Sequence, residues 1–299
     1  LLNCNDLDGK LLADPHVAEN FNKNIHSALK KSLDDDYESA PLFVQRCLYK
    51  INRLKLFWDD DLKIYSNENS RFLFNLRSNI ENQWSAWEEK QIIFDRPNDA
   101  GQALCNIVKE DLDPKLSEDG RYIRDHVSEE GYCRLLAIAS LDGLVEASQL
   151  SRVLGGASSK VQLMLTRILW EEYGSGKLER KHSTFFATML SQMRLDSKPE
   201  AYFDLVPWEV LANINHSFMV SEQKQKFLRY IGGLLYIEVS VPGSFINNKL
   251  AGERLGLSPD AISYWHLHIK EDIRHGQWML DDVALPLVEK YDKDAWEIV

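Results

Sequence analysis

The sequence predicts an all-α fold. Apolar residues recur at steps of three and four through most of the chain, strand-like alternation is nearly absent, and helix breakers are few, with 15 glycines and 9 prolines in 299 residues. A composition of 44% hydrophobic and 27% charged residues excludes a disordered or collagen-like chain. The length suits one large domain or two modest ones.

The first amphipathic stretch runs from Leu42 to Trp58, where Phe43, Val44, Cys47, Leu48, Ile51, Leu54 and Phe57 share a face. Phe72 to Trp87 repeats the pattern with Phe72, Leu73, Leu76, Ile80, Trp84 and Trp87. The turn cluster Asp95-Arg96-Pro97-Asn98-Asp99-Ala100-Gly101 then predicts a boundary between an N-terminal helical segment, 1–94, and a second unit, 95–299. The apolar faces of the first segment suit either a dimer interface or closure of the core. Beyond Gly120, Tyr132 to Leu154 reads as one long helix stopped by Gly155-Gly156. Ser158 precedes a helix from Val161 to Trp170, interrupted at Gly174-Ser175-Gly176. Helices are further expected over Thr184–Met193, Pro207–Phe218, Gln223–Val239, Asn248–Leu255 and Pro259–Leu280, with a polar, acidic and partly helical tail to Val299. Seven or more such helices make a bundle.

A net charge of −11 argues against a general nucleic-acid partner, because an acidic surface repels phosphate backbones. The runs Asp34-Asp35-Asp36 and Asp59-Asp60-Asp61 read as solvated loops or helix N-termini. No apolar run approaches the length needed to span a bilayer, and no secretory signal is present, so neither membrane insertion nor export is expected. Cys4, Cys47, Cys105 and Cys133 are widely spaced without a CxxC pair, which fits small, mostly buried thiols in a reducing, cytoplasmic setting. The opening Leu1-Leu2 lacks a Met, as expected for a sequence that starts inside its gene product.

The densest chemistry lies between Tyr264 and His275. A helix advances about 100° per residue, so His268, Asp272 and His275 fall on one stripe, with His266 roughly opposite. Two imidazoles and a carboxylate suit iron or another first-row divalent ion. Glu271, near the stripe's edge, rivals Asp272, and a solvated polar face is the alternative for this segment alone. Upstream, the helix ending at Trp170 delivers Glu171-Glu172, after which the glycine break leads to His182. An unbroken helix would hold Glu172 and His182 about 80° apart. The break lets both address one centre. Glu146, in Leu144-Val145-Glu146-Ala147, and Glu238, in Leu234-Leu235-Tyr236-Ile237-Glu238-Val239, read as carboxylates inside apolar helices. An ionised Glu there is costly unless salt-bridged or metal-bound. Together Glu146, Glu172, Glu238 and Asp272 with His182, His268 and His275 form the inventory of a carboxylate-bridged di-iron site on a helical bundle.

These residues resemble the heme-oxygenase-like di-iron oxidases and oxygenases. The resemblance rests on Glu146, on Glu172-x-Gly174-x-Gly176 with His182, on Glu238, and on His268-x-x-x-Asp272-x-x-His275, and covers roughly Asp95 to Tyr291. It implies a heme-oxygenase-like bundle without haem, holding two Fe(II) ions that react with O2. Glu172 matches the bridging position. By the same resemblance one iron takes Glu146, His182 and His275, and the other takes Glu238, His268 and Asp272; Glu146, Glu172 and Glu238 are the carboxylates given a catalytic role. Seven protein ligands match the N-oxygenating branch, whose helical dimerisation segment precedes the iron domain. A cupin domain that follows it there has no counterpart before Val299, so cupin-dependent N-nitroso chemistry is not expected.

The function expected is therefore N-oxygenation of an amine or guanidine nitrogen on a small, amino-acid-derived substrate in secondary metabolism, by a cytoplasmic homodimer supplied by an external electron donor. A di-iron decarboxylase, lyase or desaturase on the same scaffold is the enzymatic rival. A non-catalytic helical binding module is the other. Trp170, Tyr173, Phe185, Phe186, Tyr236 and Trp265 lie beside the proposed ligands as core packing or as an apolar shield. Arg274 and Lys270 are candidates for a substrate carboxylate or for surface salt bridges.

Overall fold

The computed structural model describes residues 4–34, 39–56, 61–156 and 159–299, and among these it contains fourteen α-helices and no strand. They divide into two compact units, residues 1–95 with 206–219, and residues 96–205 with 220–299. Among the described residues no helix is long and apolar enough to cross a membrane.

The first unit holds α1 (Leu7–Ala13), α2 (Pro15–Asp34), α3 (Ser39–Asn52) and α4 (Arg71–Gln91). Its core is the apolar set read from the sequence, including Val44, Leu48, Ile51, Leu54, Leu73, Leu76, Ile80 and Trp84, joined by Leu7, Leu11, Ile25 and Leu29. Trp208 and Ala212, from the segment 206–219, pack against it. The Asp8 carboxylate accepts from Ser70 Oγ at 2.5 Å and from the Arg71 backbone N–H at 2.7 Å, tying α1 to the start of α4. Inside, the Asn215 amide donates to the Gln45 carbonyl and accepts from Asn52, each at 3.0 Å, which satisfies the buried Asn215 side chain. Phe57, Trp58, most of both acidic runs and Ser158 lie outside the described residues.

The second unit runs through α5 (Ala100–Asp111), α6 (Glu118–His126), α7 (Glu129–Gly143), α8 (Leu150–Val153), α9 (Lys160–Glu172) and α10 (His182–Gln192). After α11 (Trp208–Glu222) come α12 (Phe227–Arg254), α13 (Ser263–Trp278) and α14 (Leu285–Lys290). Asp99, Ser117, Ser128 and Ser159 each cap a helix by accepting a backbone N–H three residues on. The core gathers Val127, Tyr132, Leu136, Phe186, Met189, Leu190, Ala251, Tyr264 and Trp265.

Three elements differ from the sequence reading. The expected helix 132–154 is broken: α7 ends at Gly143, residues 144–149 form turns with Ala147 at φ 63°, and α8 follows. The two helices expected over Gln223–Val239 and Asn248–Leu255 are one 28-residue helix, α12, which runs straight through Pro242. The tail after α13 continues as a π-helical turn, Met279–Ala284, into α14, with Met279 and Val283 fully buried. Cys4, Cys47, Cys105 and Cys133 are unpaired thiols as expected, although each is only part-buried.

Candidate metal centre

The packed pair α12 and α13 builds one wall of the site. On α13, His268, Asp272 and His275 form the buried stripe, while His266, Lys270 and Arg274 face outward. Glu238 comes from α12, and Gly276 lets the two helices close there: a Cβ at that position would stand 2.9 Å from Val239 Cγ1 and 3.3 Å from the Glu238 carbonyl oxygen. Pro242, one turn beyond Glu238, has no N–H to return to that carbonyl.

The opposite wall comes from the break between α9 and α10. Glu172 is the last residue of α9 and His182 the first of α10. Between them Gly174, Ser175 and Gly176 have φ of 64°, 52° and 81°. At Gly174 only glycine fits, because a Cβ would lie 2.5 Å from the Arg180 backbone. Glu146 comes from the turn after α7, not from within a helix, and its Oε2 accepts a 2.6 Å hydrogen bond from the Tyr264 hydroxyl.

The seven expected residues are thus brought into one region. Glu172 reaches in two directions, with Oε2 at 2.9 Å from His182 Nδ1 and Oε1 at 3.3 Å from His275 Nδ1. His268 Nε2 stands 3.2 Å from His182 Nδ1 and 3.7 Å from Glu146 Oε2. His275 Nδ1 is 3.4 Å from Glu238 Oε2. Glu146, Glu172, His182 and His268 therefore offer ligand atoms to one point, and Glu172, Glu238 and His275 to another. Glu172 belongs to both. Within these contacts His268 lies with Glu146 and His182, and His275 with Glu238, the reverse of the pairing implied by the resemblance. Asp272 is buried beside them with its Oδ1 unpartnered.

Residues 133–299 match the family described as iron-containing redox enzymes. The match spans more than half of the sequence. The chain belongs to that family. It is also 30% identical over 151 residues to the nitrosourea synthase of Streptomyces achromogenes subsp. streptozoticus, an alignment covering 50% of this chain and 32% of that enzyme. The chain therefore matches about a third of the length of this curated relative.

The iron-containing redox enzyme fold here is the heme-oxygenase-like helical one, and its donor set fits iron. Glu172, Glu238, Asp272, His182, His268 and His275 are all buried. Glu146 Oε1 and Asp272 Oδ1 are enclosed without a hydrogen bond, a costly arrangement unless a cation or proton meets them. The electrostatics show the same demand. Burial, then the Glu172 charge, holds the Glu146 carboxyl well above its ordinary value, and burial with Glu238 and Glu172 does the same to Asp272. Burial raises Glu238 as well. Burial alone would also raise Glu172, but hydrogen bonds from His182 and His275 pull it down. Burial opposes charge on His275 too, yet its contacts with Glu172 and Glu238 push it up to about 11. His268 falls to about 4, through burial and then the neighbouring His182. Of the four carboxylates only Glu172 is lowered, and it leans on two histidines; burial raises the other three.

Several surrounding residues differ from expectation. Phe186 and Trp265 are buried, but Trp170 and Tyr236 are more than half exposed and do not enclose the centre. The enclosing aromatic partners are Phe245 and Tyr264, whose rings lie 5.6 and 4.3 Å from that of His268. For Arg274 the surface salt bridge expected as one of two readings is present: it pairs with Glu171 at 2.5 Å and with Glu271. Tyr264 and Glu171 are the groups sequence reasoning passed over as partners of the ligands. The helical period did carry a signal for Tyr264, since it stands one turn before His268 on the same stripe.

Proposed function

We propose that this chain is a non-haem di-iron, O2-dependent N-oxygenase acting on an amine or guanidine nitrogen of a small amino-acid-derived substrate. The observation that carries the di-iron reading is Glu172, whose two oxygens face opposite groups of buried donors. A carboxylate so placed is suited to bridge two ions. Glu146 and His182 lie on one side and Glu238 on the other, and α13 supplies Asp272 and one imidazole to each ion. Four carboxylates offset the four positive charges of two Fe(II) ions in a site that admits little water. Bound iron would supply the electrons and open positions for reduction of O2. The protein holds the donors rigidly, with Tyr264 fixing one Glu146 oxygen and the Tyr264 carbonyl holding the His268 Nδ1 side at 2.9 Å. Support for nitrogen as the site of oxidation is the likeness to nitrosourea synthase. The same reading gives a cytoplasmic homodimer that draws electrons from a separate donor.

Anaerobic Fe(II) loading followed by metal analysis tests the first half: two irons per chain are expected, and none would leave a non-catalytic helical module. Mass spectrometry after O2 exposure with candidate amines and guanidines tests the second half. A gain of oxygen on nitrogen is expected; loss of CO2 or formation of an alkene would replace N-oxygenation with decarboxylation, cleavage or desaturation on the same centre.

A further inference from the structure

The two histidines of α13 present opposite nitrogens to the centre. His268 turns Nε2 inward, and its Nδ1 lies 2.9 Å from the carbonyl of Tyr264 one turn back. His275 turns Nδ1 inward, toward Glu172 and Glu238, and its outer Nε2 lies 3.1 Å from Glu171 Oε2. A flip of the His275 ring about its Cβ–Cγ bond would put carbons where these nitrogens stand, and among the described residues only side chains hold the nitrogens in place. Its orientation therefore depends on a side chain from another helix. That side chain is itself braced. Arg274 bonds Glu171 at 2.5 Å, Arg167 lies 3.7 Å from its other oxygen, and both guanidiniums stack on Trp278, at 3.9 and 5.0 Å from the ring centre. Glu171, Glu271 and His275 could in geometry hold a cation of their own, but the Arg274 guanidinium already pairs with both carboxylates and supplies that charge.

We propose that Glu171 is a positioning residue: it accepts a hydrogen bond from the His275 Nε2–H, and so fixes Nδ1 as the nitrogen offered to iron. A carboxylate can only accept, which sets the proton on Nε2 and leaves the Nδ1 lone pair for the metal. This rests on the di-iron reading above. Arg167 and Arg274 hold the carboxylate in place, and Trp278 packs under both guanidiniums and 5.7 Å from the His275 ring.

The test is anaerobic Fe(II) titration of the full chain with Mössbauer spectra of the loaded protein, for wild type, Glu171→Ala, Glu171→Gln and Glu271→Ala. In Glu171→Ala one site should keep wild-type affinity, the other should weaken about 10–100-fold, and the doublet of that second iron should change. Glu171→Gln retains an acceptor oxygen and should recover part of the loss. Glu271→Ala, which disturbs Arg274 but leaves the His275 contact, should match wild type. The Zn(II)-loaded, 15N-histidine-labelled protein should show Nδ1 ligation with a protonated Nε2 at His275 in wild type, and a fraction of unligated Nδ1 in Glu171→Ala. Glu171 is the penultimate residue of α9 and part-exposed, so alanine should leave the helix intact, as circular dichroism would confirm. Wild-type affinities, doublets and nitrogen shifts in Glu171→Ala would overturn the proposal alone. Wild-type protein that takes up no iron would overturn the di-iron reading and this inference with it.

Discussion

At the scale of single residues, the centre concentrates its consequences on Glu172. Replacing it with Ala removes the carboxylate that faces both donor groups, and takes the nearest anion from His182 and from the inward nitrogen of His275. Iron content measured by plasma mass spectrometry should fall below two per chain, and activity should drop by more than about 100-fold, since even outer partners of ligands are worth about 10–100-fold. Full iron occupancy with retained turnover would show that Glu172 is not the bridge. Tyr264→Phe is a milder probe: it frees Glu146 Oε2 but keeps the ring against His268. Its expected effect is weaker iron binding with unchanged helicity, read by the same titration and by circular dichroism. The stripe on α13 and the Glu172–glycine–His182 sequence were legible in the chain because helical period and glycine breakers are local properties. The task of Glu171 was not legible. It depends on α9 lying across α13, a contact between residues 104 positions apart.

Among the elements, the approach of α12 to α13 depends on the missing side chain at Gly276. Gly276→Ala would drive a methyl against Val239 and the Glu238 backbone, so the helices must part by several tenths of an ångström. A loss of about 1–3 kcal/mol is expected from such overpacking, measurable by denaturant unfolding. Iron affinity should fall with it, because Glu238 and His275 flank the same contact. An unchanged unfolding midpoint would mean that the helices can slide apart at no cost. The element boundaries also show what sequence patterning misses. The stretch left between the helices expected over Gln223–Val239 and Asn248–Leu255 holds Pro242, yet α12 continues through it, because proline within a helix forfeits one hydrogen bond and the 28-residue helix is secured by burial on both sides of that point. Conversely, the break at residues 144–149 contains neither glycine nor proline. The left-handed Ala147 there is imposed by the tertiary structure, so local propensity could not reveal it.

For the whole molecule, the centre couples stability to pH. Glu146, Glu238 and Asp272 have raised pKa values, so the folded metal-free protein binds more protons than the unfolded chain above the ordinary carboxylate range. His275, raised to about 11, adds to this above pH 6.5, its unfolded value. His268, lowered to about 4, acts in the opposite sense, but only between about pH 4 and 6.5. From pH 6.5 upward these terms share one sign, and unfolding stability must fall as pH rises. The thermal midpoint of metal-free protein is therefore expected to decline from pH 6.5 to 9, while the iron-loaded form, with its protons replaced, declines less. A metal-free midpoint that rises over this range would contradict the buried arrangement. The same linkage predicts that iron uptake releases protons and strengthens with pH. A second consequence concerns truncation. Residues 206–219 belong with the first unit, and Trp208 and Ala212 pack on its core. A fragment starting at residue 96 would strip their cover and should be less soluble than the full chain, as sedimentation of the expressed fragment would show.

The turn that carries Glu146 also bears on the rate at which ions exchange. Of the seven residues assigned to the centre, six sit on helices, and Glu146 alone rides on a non-helical turn next to a left-handed alanine. Turns open at lower free energy than packed helices. The ion that depends on Glu146 should accordingly be the first to leave when a chelator is added and the last to be secured on reloading, giving two-phase release from a centre whose equilibrium affinities alone would not disclose it.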